Sequence, residues 1–215
     1  MGNKVKSHIL RASRRFEQYL PELETIMGDA VEQTGKHIPL HPIDIVVYDN
    51  PAHAIPGFAH GARTHNPYTI RISLDPLFLD FIKAVRKELP RSVSHELHHA
   101  VRWKAVGYGR TLMEVLVTEG LATCFEVELW GGKPSPWATA IKGKTFEKLW
   151  QKATQEFKNT SYNHNRWFFG SDDLPRWAGY TLGHDLVRRY LAKHPTESAA
   201  SLVATPAAEI AKILG

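Results

Sequence analysis

Residues 94–99 read Ser-His-Glu-Leu-His-His, a run that contains one His-Glu-x-x-His pattern formed by His95, Glu96 and His99. On a helix, residues four apart return to nearly the same face one turn higher, so the His95 and His99 imidazoles would point side by side into one space. Two neutral imidazoles placed in this way can bind one Zn²⁺ through ring nitrogens. Glu96, one residue along, then reaches a water on the metal rather than the metal itself. That is the chemistry of metal-assisted hydrolysis. His98 is rotated by about 80° or more from the His95 and His99 direction, so it should face another surface of the helix.

A catalytic zinc takes three protein ligands and keeps a fourth position open. Residues 112–129, "LMEVLVTEGLATCFEVEL", offer Glu114, Glu119, Glu126 and Glu128. Glu119 stands among Val115, Leu116, Leu121 and Ala122, the most apolar part of this segment. A carboxylate buried there is costly unless paired or metal-bound, which favours a functional role. Gly120 lowers helix propensity by about 1 kcal/mol relative to Ala, an expense that makes sense where two helices approach closely. Glu114, Glu128 and Glu147 read better as solvent-facing charges. Glu126, two turns after Glu119, has only a weak case for an outer contact.

The pair of motifs resembles a known class of enzymes. His-Glu-Leu-His-His, followed nineteen residues after His99 by Thr118-Glu-Gly-Leu-Ala, is similar to the gluzincin metallopeptidases. Their third ligand is a Glu on the next helix, often in an Asn-Glu-Gly-Phe-Ala type of segment. Thr118 stands where those enzymes often carry Asn, and the spacing fits their aminopeptidase-like branch. The whole chain, small and with its sheet first, more closely resembles a bacterial family of predicted zinc-dependent proteases of uncharacterised function. The likeness is strong over about residues 90–130 and runs in outline elsewhere. It implies a zincin-like fold, one zinc per chain held by His95, His99 and Glu119, and Glu96 as general base. The expected reaction is attack of a zinc-bound water on a peptide carbonyl, with Glu96 taking the proton and returning it to the leaving amine.

Charge develops on the carbonyl oxygen in such a reaction, so a second donor is expected nearby. Tyr180 and His184 lie four apart on one face of the helix expected over residues 176–191, and related gluzincins often use a Tyr or His of a late helix in this role. Tyr180 with Gly183 also resembles a Tyr-x-x-Gly segment of such peptidases. The ordinary role of a Tyr on an amphipathic helix is a core residue with its hydroxyl at the edge. His37, His41, His53, His60, His65 and His164 read as solvated or hydrogen-bonded loop histidines, and the six Trp as core.

These groups need elements to position them. Residues 7–33 place Ile9, Leu10, Phe16, Leu20, Leu23, Ile26, Met27 and Ala30 at helical spacing, with Pro21 expected to split the pattern into two helices. "IDIVVYD", 43–49, and "YTIRISLD", 68–75, read as strands, and the Gly, Pro and His stretch between them as a short strand with turns. The 68–75 strand is expected to form the cleft edge on which a peptide lays its backbone. Helical periods follow over 76–87, 90–105, 111–130, 144–158 and 176–193, with Pro90 in the first turn of the second. Residues 159–175 read as a long loop. The fold class is α+β, a single 1–215 domain with an α/β lobe over about 1–89 and a helical metal-binding lobe over about 90–215.

Composition bounds the function classes. The net charge of +5 is dispersed, with its densest cluster at Arg11, Arg14 and Arg15, so nucleic-acid binding is not favoured. Cys124 is the only cysteine, which fits a reducing compartment and a small apolar role. No window approaches the ~20 apolar residues of a membrane span, and the N-terminus lacks a signal-peptide core, so a soluble, cytoplasmic protein is expected. Gly2 suggests myristoylation, but Lys6 stands where Ser or Thr is required, and that reading is set aside. The expected partner is a peptide or protein substrate, with no oligomeric state indicated. The alternative is a catalytically silent zincin-fold regulatory or interaction domain. Its mark would be damage to the ligands or to Glu96, and the sequence shows none.

Overall fold

Ile43, Ile45 and Val47 alternate with more exposed residues, the period of a half-buried strand, and they line the interior of β2 (Ile43–Asp49). The computed structural model describes residues 4–171 and 173–214, so Gly2 lies outside it. The chain divides into two compact units, Met1–Lys104 and Ala105–Gly215. The boundary falls at the end of the His-Glu-x-x-His helix, so that helix belongs with the sheet rather than opening the helical lobe.

In the first unit β1 (Val5–Ile9) and β4 (Thr69–Leu74) run parallel to β2 on either side of it. β3 (His60–Asn66) closes the sheet antiparallel to β4, giving the order β1-β2-β4-β3. Two expectations change here. Residues 7–9 form an edge strand, not a helix, because pairing with β2 supplies their hydrogen bonds and buries Val5. β4 has a strand on each side, so residues 68–75 offer no free edge, and the edges of the sheet are β1 and β3. α1 (Leu20–His37) is one helix with Pro21 in its first turn, where the missing N–H leaves no bond unmade. It buries Leu23, Ile26, Met27, Ala30 and Val31.

α2 (Phe81–Val106) is continuous, with Pro90 inside it rather than at its start. An internal Pro removes one helical hydrogen bond at a cost of about 3 kcal/mol. Phe81, Val85, Leu89, Val93 and Leu97, four residues apart and all buried, offset that cost along one face.

The second unit is helical among the described residues: α3 (Leu112–Trp130), α4 (Gly143–Glu156), α5 (His164–Phe169), α6 (Ala178–Lys193) and α7 (Ala207–Ala211). The stretch read as a loop over 159–175 contains α5, whose Trp167 and Phe168 join a core with Leu112, Leu116, Leu149 and Leu182. Ion pairs hold this stretch: Arg166 reaches Asp173 and Glu156, and Lys152 Nζ lies 2.6 Å from Asp173. These donors keep the Asp173 carboxyl well below the usual carboxylate range. Among the described residues no helix is long and apolar enough to cross a membrane.

Candidate metal centre

α2 is anchored just before its histidines. Ser94 Oγ donates to the Pro90 carbonyl one turn back at 3.0 Å, and Thr34 Oγ1 of α1 lies 2.8 Å from Ser94 Oγ. One turn apart, the His95 and His99 rings stand with centroids 4.6 Å apart and planes at 85°. Both are buried, as is His98, which has no measurable exposure.

Glu96 is held from the sheet. The backbone N–H of Thr64, on β3, donates to Glu96 Oε2 at 2.6 Å, and Thr64 Oγ1 lies 2.7 Å from the same oxygen. The hydroxyl is also 2.8 Å from the Glu96 backbone carbonyl. His60, expected in a loop, sits in β3, with Nε2 2.8 Å from Ser92 Oγ of α2. Burial pushes its pKa down to about 4, so this imidazole is neutral at physiological pH.

In the second unit α3 begins at Thr111. Its side chain accepts from the Glu114 N–H, while Glu114 Oε2 accepts from Thr111 N at 2.9 Å and Arg110 N at 2.8 Å. Glu114 is therefore a capping residue rather than a free surface charge, and these backbone donors hold its carboxyl below the usual range. Glu128 is exposed, as expected, and also accepts from Ala199 N at 2.6 Å. α3 is buried on nearly all sides from Leu112 to Glu126, which explains why a carboxylate inside it needs partners.

Glu119, 4% exposed, receives the phenol of Tyr108 at 2.6 Å. Thr118 Oγ1 donates to the Tyr108 carbonyl at 2.9 Å, so the turn before α3 is tied to that helix by both ends of one residue, its phenol at Glu119 and its carbonyl at Thr118. Tyr162 lies in the same electrostatic neighbourhood: burial, then the Glu119 and Glu114 carboxylates, push its phenol up to about 12. Its hydroxyl is 3.3 Å from His164 Nδ1. Sequence reasoning missed both tyrosines. The signal for Tyr108 was its place between Gly107 and Gly109, just ahead of a capped apolar helix.

Gly120 has the role its cost suggested. A Cβ there would collide with the Gly183 carbonyl of α6, and a Cβ on Gly183 would collide with the Leu116 carbonyl of α3. The two helices cross backbone on backbone. Glu126, two turns on, is buried and accepts from Ser135 Oγ at 2.6 Å.

The two late-helix candidates differ. Tyr180, half-buried, packs edge-on against Phe168, ring centroids 5.0 Å apart. His184 is buried and hydrogen-bonds the backbone of Ala138, and desolvation lowers its pKa.

His95, His99 and Glu119 form a group able to hold a metal ion, each buried and each offering a ligand atom, all within 4.8 Å of one another. His98 and Glu96 are not members. Two imidazole nitrogens and one carboxylate oxygen are the donor set of a catalytic zinc site with one position left open. The residues therefore fit the ion.

The comparisons with known proteins agree in kind. "Uncharacterized protein YjfC" of Bacillus subtilis (strain 168) is 24% identical over 155 residues, which cover 65% of this chain and 46% of that protein. The chain thus spans under half the length of this curated relative. No solved structure matches. The model of one family, described as "Predicted Zn-dependent protease (DUF2268)", matches residues 70–212, a span that contains α2, α3 and α6 with their histidines and Glu119. Over well more than half of its length, then, this chain is a member of the DUF2268 family of predicted Zn-dependent proteases.

Proposed function

We propose that the protein is a zinc-dependent peptidase of zincin-like, gluzincin type, in which His95, His99 and Glu119 hold one zinc and Glu96 is the general base. The observation that carries this reading is the buried His95, His99 and Glu119 group with its ligand atoms within 4.8 Å. When bound, zinc polarises a carbonyl and lowers the pKa of water. The remaining work falls to the chain. Glu96, with Oε2 fastened to Thr64, takes the proton of the attacking water on its other oxygen and returns it to the leaving amine. Tyr180 is assigned as donor to the developing oxyanion. His184 is assigned to anchoring, because its ring already bonds the Ala138 backbone. The substrate is a peptide or protein. The buried lone Cys124 accords with a cytoplasmic setting.

The test is a peptide-library digest with the zinc-loaded protein. The purified chain should carry about one zinc, and Glu96→Gln should keep that metal while hydrolysis falls by about a hundredfold or more. Glu119→Gln should lose the zinc. Hydrolysis that survives Glu96→Gln overturns the assigned base, and full zinc occupancy in Glu119→Gln overturns the third ligand.

A further inference from the structure

We infer that Thr64 is a positioning residue for Glu96: an edge-strand amide and hydroxyl that select which carboxylate oxygen faces the reaction. The inference rests on the reading of Glu96 as general base, and it begins with the geometry of the sheet. β3 is an edge strand, so alternate backbone groups along it point away from β4 and lack a ladder partner. His60 and Thr64 share this parity. The His60 carbonyl is met by the Ile55 N–H at 3.0 Å, and the Thr64 N–H by Glu96 Oε2 at 2.6 Å.

The strand is also irregular at this point. Pairing with β4 runs Thr64↔Ile70 and then Asn66↔Thr69, with a register shift between Thr64 and Asn66. Such bulges re-aim backbone groups, and here the residue beside the shift carries the bond to the proposed base. Thr64 is buried, so its side chain lies on the same side as α2 and brings Oγ1 to 2.7 Å from the same oxygen.

Two donors converge on Oε2, whereas none from Thr64 reaches Oε1. A hydroxyl has one proton, and Thr64 Oγ1 lies close to both the Glu96 carbonyl and Oε2, so the backbone N–H supplies the constant bond and the hydroxyl the adjustable one. A carboxylate free to rotate about its terminal bond would present either oxygen at varied angles. Held at Oε2, it presents Oε1 in one orientation. A loose proton acceptor costs rate rather than binding, since general-base geometry matters in the transition state.

The experiment compares the zinc-loaded wild type with Thr64→Val and Thr64→Ser. Val keeps the branched shape and the backbone N–H but deletes the hydroxyl, and Ser restores the hydroxyl. Thr64→Val should lower kcat by roughly ten- to a hundredfold with KM and zinc content unchanged, and Thr64→Ser should recover most of it. A purely structural tie would instead show as lost stability or zinc with no kcat-specific defect. Wild-type kcat in Thr64→Val, or a Ser variant as poor as Val, overturns the proposal.

A second readout needs no activity. In the ¹⁵N-labelled, metal-free protein the Thr64 amide proton should resonate far downfield, as expected for a short bond to a carboxylate, and move upfield in Glu96→Ala. An unmoved resonance overturns the proposal. If the wild type shows no zinc-dependent hydrolysis, the peptidase reading fails while this resonance still decides whether Thr64 holds Glu96.

Discussion

Glu96 and Glu119 are both buried carboxylates on helices, yet the molecule holds them in opposite ways. Glu96 is fastened from a different element, the β3 strand, whose Thr64 brings both a backbone amide and a hydroxyl to one oxygen. Glu119 is fastened by Tyr108 from the turn just ahead of its own helix, and its helix is in turn set by a backbone crossing with α6 at Gly120 and Gly183. In the role proposed for it, Glu96 needs one oxygen held while the other stays available. In the role proposed for it, Glu119 needs its whole helix placed, because a ligand atom cannot shift by much and still bind. The contrast teaches that the first is a matter of local hydrogen bonding and the second of helix packing.

That contrast can be broken most severely at the helix crossing. Gly183→Ala inserts a methyl against the Leu116 backbone of α3, which must move to admit it. Overpacking a tight contact of this kind costs typically 1–3 kcal/mol, and about 3 is expected here because the obstacle is main chain. Urea unfolding should show a lower midpoint, and zinc analysis should show reduced occupancy. A variant with wild-type midpoint and full zinc would remove helix packing from the account of Glu119.

A smaller effect sharpens the comparison on the Glu119 side. Tyr108→Phe deletes the phenol that orients the carboxylate but leaves the ring, so zinc affinity should fall about 10- to 100-fold with little change in unfolding midpoint. Competition with a chelator measures it. Unchanged affinity would mean that the crossing with α6 alone is enough to orient Glu119.

The smallest change is at the start of α3. Thr111→Ala removes the side-chain half of the capping box and should cost about 1 kcal/mol of stability, read by thermal or urea unfolding, with zinc stoichiometry intact. A loss of zinc in this variant would show that the helix start, and not only its crossing, sets the ligand.

Much of the candidate site was legible residue by residue. His95, Glu96 and His99 announce themselves by spacing, and Glu119 by being charged in an apolar stretch beside Gly120. The strands at 43–49 and near 68–75 follow from alternation and occur as β2 and β4. Residues 7–9 escape a local reading because Ile9 and Leu10 extend the helical pattern of the following segment, whereas the strand depends on a partner 38 positions away. Pro90 was misplaced for a related reason. Its local preference for a helix start is weaker than the burial of Phe81, Val85 and Leu89 on the same face as Val93. The fastening of Glu96 leaves no sequence signal, since Thr64 is an ordinary residue in ordinary surroundings, whereas Tyr108 is marked only by the glycines that flank it.

The sequence by itself determined the chemistry on offer: which side chains can ligate, which can take a proton, and which helices carry them. Their periodicity is a property of the chain and needs no distant contact to be seen. Only the tertiary structure decided that β3 rather than β4 forms a sheet edge, that its Thr64 holds Glu96, and that Gly120 meets Gly183. Strand order and helix crossings depend on residues far apart in sequence whose hydrogen bonds and packing are made only in the folded chain, so no local pattern encodes them.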